Sequence, residues 1–123
     1  MPLVLIVDDD FAIRDVLREI VTLYGYKATT ADSAKEAMTI LTKEKIDLIF
    51  LDMQMPDITG DQFLDFIRKK GFQTPVVVVS AHVDKEVARR LGAVGINGII
   101  TKPFLVERVI DVMNRALGIE GKP

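Results

Sequence analysis

Five times along this chain a short apolar run gives way to an amphipathic segment, and no other feature restricts the fold so much. The runs are LVLIV (Leu3 to Val7), YKATTA (Tyr26 to Ala31), DLIFLD (Asp47 to Asp52), PVVVVSA (Pro75 to Ala81) and GIIT (Gly98 to Thr101). After the first, Ile13, Val16, Leu17, Ile20 and Leu23 follow helical spacing, and Gly25 stops the helix. Ser33 and Glu36 then read as a capping box, with Ala34, Ala37, Met38 and Leu41 as the inner face of a second helix. Gly60 opens a third, with Phe63, Phe66 and Ile67 inward and Gly71 at its end. A fourth helix is predicted from about Asp84 to Leu91. The fifth carries Val106, Val109, Ile110, Met113 and Leu117, with Gly118 as its stop. Five strand–helix pairs imply a parallel sheet with helices on both faces. The uninterrupted VVVV run fits strands buried on both sides.

The 123 residues fit one domain of ordinary size. No repeat, low-complexity tract or linker divides them. Residues 1–118 therefore read as the domain and 119–123 as a short, frayed tail. A composition 49% hydrophobic and 28% charged excludes a disordered chain. The absence of cysteine excludes disulfides and thiolate chemistry. No apolar run approaches the roughly 18 residues of a membrane span. MPLVLIVDDD has no basic leader and reads as a first strand, so a cytoplasmic location is the default expectation. Sixteen basic and 18 acidic residues leave a net charge of −2, which argues against a dominant nucleic-acid surface. The basic clusters Arg68 to Lys70 and Arg89–Arg90 read as solvated helix faces.

In open parallel sheets, ligands bind outside the carboxyl ends of the strands. Here the first strand ends in Asp8, Asp9 and Asp10, the third in Asp52, the fourth in Ser80, and the fifth in Thr101 and Lys102. The second ends in nothing with evident chemistry. Crowded carboxylates repel one another unless a cation compensates. Oxygen ligands without His or Cys suit Mg2+ better than zinc, and Mg2+ commonly bridges carboxylates to phosphate. Lys102 supplies a point charge for phosphate oxygens, and Ser80 a hydroxyl donor. Asp52, flanked by apolar residues, has the character of a carboxylate nucleophile that forms an aspartyl phosphate. There is no Gly-rich phosphate loop to cradle a nucleotide.

These motifs, in this order, resemble the receiver domain of bacterial two-component response regulators. LIVDDD resembles the acidic strand, with Asp8 and Asp9 as the acidic pair. LDMQMPDITG resembles the phosphoacceptor strand and loop, with Asp52 as acceptor. VVVVSA supplies the hydroxyl residue Ser80, and ITKPF the lysine, Lys102. The likeness covers about Leu3 to Leu117. It implies a flavodoxin-like (βα)5 fold, a doubly wound parallel five-stranded sheet of order 2-1-3-4-5. It also implies that Asp9 ligates Mg2+ directly, Asp8 mainly through metal-bound water, and the backbone carbonyl of Gln54 completes the protein ligands. Side chains at Gln54 and His82 would border the phosphoryl group and tune its lifetime. A cis bond between Lys102 and Pro103 would aim the lysine inward.

Each of these residues has a plainer reading. Asp8, Asp9 and Asp10 would serve as a solvated turn and helix cap, Ser80 as a strand terminus, and His82 as an exposed loop residue. Met53 and Met55 read as packing, and Asp10 as a cap or solvent-facing side chain. Two positions depart from the family pattern. Ile99 stands three residues before the lysine, where an aromatic usually switches inward, and Thr59 precedes Gly60, where an acid is common. The resemblance implies a non-enzymatic switch that assists its own phosphorylation and dephosphorylation. Its partners would be a sensor histidine kinase or histidine phosphotransfer protein. A downstream protein or output domain would bind the surface of helix four, strand five and helix five. Neither nucleic acid nor membrane is expected to touch the domain. Two other readings stay open on the residues. In a haloacid-dehalogenase-like phosphatase the nucleophile would lie in DDDF and LDMQMP would have no role. The other is a receiver-shaped binding module that no longer accepts phosphate.

Overall fold

A computed structural model of the chain describes residues 1–119. The other four residues of the expected tail lie outside the described residues. The elements are β1 (Leu3–Val7), α1 (Phe11–Leu23), β2 (Lys27–Ala31), α2 (Ala34–Lys43), β3 (Leu48–Asp52), α3 (Gly60–Lys69), β4 (Val76–Ser80), α4 (Lys85–Val94), β5 (Gly98–Thr101) and α5 (Val106–Leu117). All strand pairs are parallel, in the order β2-β1-β3-β4-β5. That is the class and order the sequence led us to expect.

Side chains alternate across a strand, and both faces here are apolar. Leu5, Val7, Ile49, Leu51, Val76 and Val78 meet Ala37 and Leu41 of α2, Phe63 and Ile67 of α3, and Leu91 of α4. Val4, Ile6, Phe50, Val77, Val79 and Ile100 meet Leu17 and Val21 of α1 and Val109 and Met113 of α5. Phe50 and Phe63, one on each face, are wholly buried. Burying such a side chain contributes roughly 1.5–3 kcal/mol over an exposed position, and truncating it to Ala costs about 3–5 kcal/mol. The parallel register sets Val7 beside Leu51, Asp52 beside Val79 and Ser80 beside Thr101. The tips of four strands therefore emerge side by side on one edge.

Local chemistry starts and stops the helices. Asp10 caps α1 by accepting from the Ala12 amide at 2.9 Å. Thr59 and Gln62 form a reciprocal capping box on α3, so the threonine that departs from the family pattern has a local use. Gly118, at φ 74°, ends α5 in the left-handed region that favours glycine.

The structure corrects several sequence expectations. The capping box at Ser33 is only half formed. Ser33 Oγ accepts from the Glu36 amide, but the Glu36 carboxylate accepts from Asp32 rather than from Ser33. The fourth helix runs past Leu91 to Val94, with Asp84 as its cap. Phe66, expected to face inward, is exposed. Val16, Leu23 and Val106, which the helical spacing picked out, are exposed too and line a groove between α1 and α5. Arg68 is not merely solvated. It lies half-buried and donates to the carbonyls of Phe72 at 3.0 Å and Gly95 at 3.1 Å, clamping the end of α3 to the end of α4. Burial holds its guanidinium below the ordinary arginine value.

Candidate functional site

A cleft of about 420 Å³ opens where β1, β3, β4 and β5 end. Asp8, Asp9, Asp10 and Asp52 line one part, Ser80, His82 and Lys102 another, and the turn from Gln54 to Pro56 closes it. The sequence predicted that these strand tips converge, and parallel pairing brings them together. Asp8 is 1% exposed and Asp52 7%, whereas Asp9 stands in solvent. Buried carboxylates require partners, and Lys102 serves both. Its Nζ lies 3.2 Å from Asp8 Oδ2 and 3.5 Å from Asp52 Oδ1. Asp8 Oδ1 accepts from the Asp10 amide at 2.9 Å.

Burial, and then the charge of Asp8, raise the Asp52 carboxyl above its ordinary value, against the opposing pull of Lys102 and the Gln54 amide. Burial pulls Lys102 down, but Asp8 and Asp52 outweigh it and hold the ammonium above the usual lysine value. The cleft therefore sets four acidic side chains against one ammonium, and Asp52 is the acid that burial makes harder to ionise.

One carboxylate oxygen from each of Asp8, Asp9 and Asp52 lies within 4.8 Å of the others. The donors are hard oxygens, as Mg2+ requires. In an octahedral shell the widest ligand separation is twice the metal–oxygen distance, about 4.2 Å. Three hard oxygens gathered this closely match the donor chemistry of such a cation.

Ser80 is buried, and its hydroxyl is engaged with the loop beyond it. Oγ donates to the His82 carbonyl at 3.1 Å and accepts from the His82 amide at 3.4 Å. The Lys102 amide donates to the Ser80 carbonyl at 2.8 Å, joining the ends of β4 and β5. The Lys102–Pro103 peptide bond is cis. Gln54 and His82 are exposed on the cleft's rim. Ile99 is not in the cleft. It is half-buried against the core under α3 and α4, and its carbonyl accepts from Arg108 at 3.2 Å. Sequence reasoning overlooked two residues. Arg14 donates to the Asp8 carbonyl at 2.7 Å, a contact foreshadowed by its place on the turn that follows Asp10. Asp57, in the loop after β3, bonds to the start of α2. No local pattern announces that contact.

At Gly60 the start of α3 packs tightly against the end of β3. Its amide donates to the Met53 carbonyl at 2.8 Å. A Cβ there would stand 2.5 Å from the Asp52 carbonyl oxygen and 2.8 Å from Met53 Cα.

Comparison with known proteins adds to this geometry. The family model of the response regulator receiver domain matches residues 4–114. Response regulator protein FleR of Pseudomonas aeruginosa is 36% identical over 119 residues, which cover 94% of this chain and 24% of FleR. Sporulation initiation phosphotransferase F of Bacillus subtilis is 28% identical over 117 residues, 95% of this chain and 94% of that protein. Chemotaxis protein CheY4 of Vibrio cholerae aligns with a TM-score of 0.90 at 31% identity, over 95% of this chain and 99% of that one. The chain spans about a quarter of the length of FleR and of several other curated relatives.

Proposed function

The chain belongs to the response regulator receiver domain family, and we propose that its cleft takes a phosphoryl group onto Asp52 from a phosphohistidine donor. The observation that carries this reading is Lys102 held between two buried carboxylates, Asp8 and Asp52, at the edge where the other strand tips meet. Family membership displaces the phosphatase reading.

An oxygen of Asp52 attacks phosphorus. The new P–O bond forms as the P–N bond breaks, and the bonding pair leaves with the donor imidazole. The carboxylate gives up no proton, so no general base is required. Catalysis is positioning and charge neutralisation. Asp8, Asp9, Asp52 and the backbone carbonyl of Gln54 would hold Mg2+, which supplies neutralisation of phosphoryl charge. Lys102 is near enough to exchange its Asp52 contact for a phosphoryl oxygen. Gln54 and His82, on the rim, govern access of water and hence the lifetime of the product. The chain assists its own loading and unloading as a switch rather than a turnover enzyme.

The transfer adds a charge of about −2. Ser80 Oγ turns from the His82 carbonyl to the new oxygens, and the loop leading into α4 follows it. With Ile99 in place of an aromatic, the message travels through Ser80 and the backbone to the surface of α4, β5 and α5. That surface binds a downstream protein or output domain. The phosphoryl source is a sensor histidine kinase or a histidine phosphotransfer protein. Near-balanced charge supports a domain that does not itself grip nucleic acid. Among the described residues no helix is long and apolar enough to cross a membrane. We place the reaction in the cytoplasm, away from the bilayer.

The test is incubation with a small phosphodonor and Mg2+, followed by intact mass. Wild type should gain one phosphoryl group and Asp52→Asn none. An adduct that persists in Asp52→Asn sinks the assignment.

A further inference from the structure

We infer that Asp57 is a positioning residue. It pins the loop bearing Gln54 to the start of α2 and so sets the Gln54 side of the cleft. The inference rests on the proposed phosphoacceptor reading and extends it to a residue outside the cleft.

Between β3 and α3 the chain must cross the mouth of the site. Residues 54–57 run there without regular structure. Pro56 has no amide to donate, and Gln54 and Pro56 are exposed. Met55 and Ile58 give the loop some apolar contact with the core, but apolar contact is non-directional and does not aim a carbonyl. Among the described residues, Asp57 alone of residues 54–57 makes hydrogen bonds that reach a helix. Its Oδ1 accepts from the Ala34 amide at 3.2 Å and its Oδ2 from the Lys35 amide at 3.0 Å. Oδ1 also accepts from its neighbour Ile58 at 3.0 Å, which fixes the carboxylate within its own turn.

The α2 end of this contact is equally specific. The first turn of a helix leaves its amides without internal partners. Here Ser33 Oγ takes the Glu36 amide, and Asp57, 22 and 23 residues away in sequence, takes Lys35 and Ala34. The helix is thus capped by its own residue and by one borrowed from the acceptor loop. The bonds are charge-assisted, and the helix dipole adds to them. Burial opposes ionisation of Asp57, but the Lys35, Ala34 and Ile58 amides hold its carboxyl below the usual range. Asp57 lies five residues past the acceptor and three past Gln54, too near for its tether to leave that segment free.

The test compares Asp57→Ala, Asp57→Asn and Ser33→Ala with wild type in the intact chain. Calorimetric titration gives the Mg2+ dissociation constant, and amide hydrogen exchange follows Gln54, Met55, Ala34 and Lys35. Asp57→Ala is expected to weaken Mg2+ about tenfold, the low end for a residue that supports a metal ligand, and to speed exchange at all four amides. Asp57→Asn keeps a neutral acceptor and should shift both readouts less, in the same direction. It carries the test if the alanine variant does not fold. Ser33→Ala weakens α2 without touching the loop and should leave Mg2+ affinity at the wild-type value. Unchanged Mg2+ affinity in Asp57→Ala, with faster exchange only at Ala34 and Lys35, reduces Asp57 to a helix cap and overturns the inference. Equal loss in Ser33→Ala also overturns it, by tracing the effect to general destabilisation. A wild type that takes up no Mg2+ overturns the phosphoacceptor reading itself, and shows this before any variant is compared.

Discussion

Two glycines, 32 positions apart, should respond to the same substitution with opposite signs. At Gly60 an added methyl group meets the Asp52 carbonyl oxygen at 2.5 Å and Met53 Cα at 2.8 Å. Both obstacles are backbone, so no side-chain rotation relieves them. Overpacking of this kind costs about 1–3 kcal/mol, and we place Gly60→Ala in the upper half, at about 2 kcal/mol net. At Gly92, inside α4, the same methyl meets nothing within 4 Å. There Gly→Ala removes the flexibility penalty of a helical glycine and stabilises by about 0.5–1 kcal/mol. Neither backbone has the positive φ that would demand glycine, so only the steric contrast separates them. With a urea m-value of about 1.5 kcal/mol/M for a domain of this size, the two midpoints should lie roughly 1.5–2 M apart, one on each side of wild type. Urea titrations followed by far-ultraviolet circular dichroism in chelator measure this directly. If the urea midpoint of Gly60→Ala lies at or above that of wild type, the close approach between β3 and α3 does not exist as described. The functional reading predicts a second consequence. The atom struck is Asp52's own carbonyl, so Gly60→Ala should also slow phosphoryl uptake, whereas Gly92→Ala should not.

Asp52→Asn should stabilise the metal-free protein increasingly as pH rises. A carboxyl whose folded value is raised contributes stability that is fully present below the unfolded value and lost as pH climbs through the folded one. The urea midpoint of Asp52→Asn minus that of wild type should therefore grow between about pH 4 and pH 7, and a constant difference would contradict the raised value. Lys102→Met leaves two buried carboxylates facing each other. Breaking a fully buried pair costs about 3–5 kcal/mol. With the lysine one-fifth exposed, about 2–3 kcal/mol is expected at pH 7, and less at pH 4. Equal stability at pH 7 would show that the ammonium is not needed there. His82→Ala should change the lifetime of the phosphorylated form by less than about tenfold, below the 10²–10⁴-fold expected of a general base. An unchanged decay rate rejects any role for it. The Mg2+ titrations of Asp57→Ala against Ser33→Ala complete the set.

The fold was legible because a sheet buried on both faces writes itself as continuous apolar runs. LVLIV and VVVV could hardly be anything else, and parallel strands all point their carboxyl ends one way. Asp8, Asp52, Ser80 and Lys102 could therefore be placed on one edge from the positions of their strands alone. The errors share a cause. Helical periodicity records which residues are apolar and not how wide a stripe the sheet covers, so Phe66 was read as inward although it is exposed. Composition reports charge and not partners, so Arg68 read as solvated although two carbonyls claim it. Asp57 escaped because its partners lie 22 and 23 residues away. A turn motif such as PDITG does not reveal which helix it will touch.

The hydroxyl of Ser80 is already spoken for. It gives its proton to the His82 carbonyl, so a phosphoryl group would not recruit an idle donor but compete for an occupied one. A neutral hydrogen bond is worth only about 1 kcal/mol net, a ratio of roughly five to one between bonded and released forms. A bond of that strength gives way to a better acceptor without disturbing the fold. On the proposed reading the Ser80 hydroxyl is a light latch, one that a charged acceptor on Asp52 would draw off more strongly than the neutral carbonyl holds it.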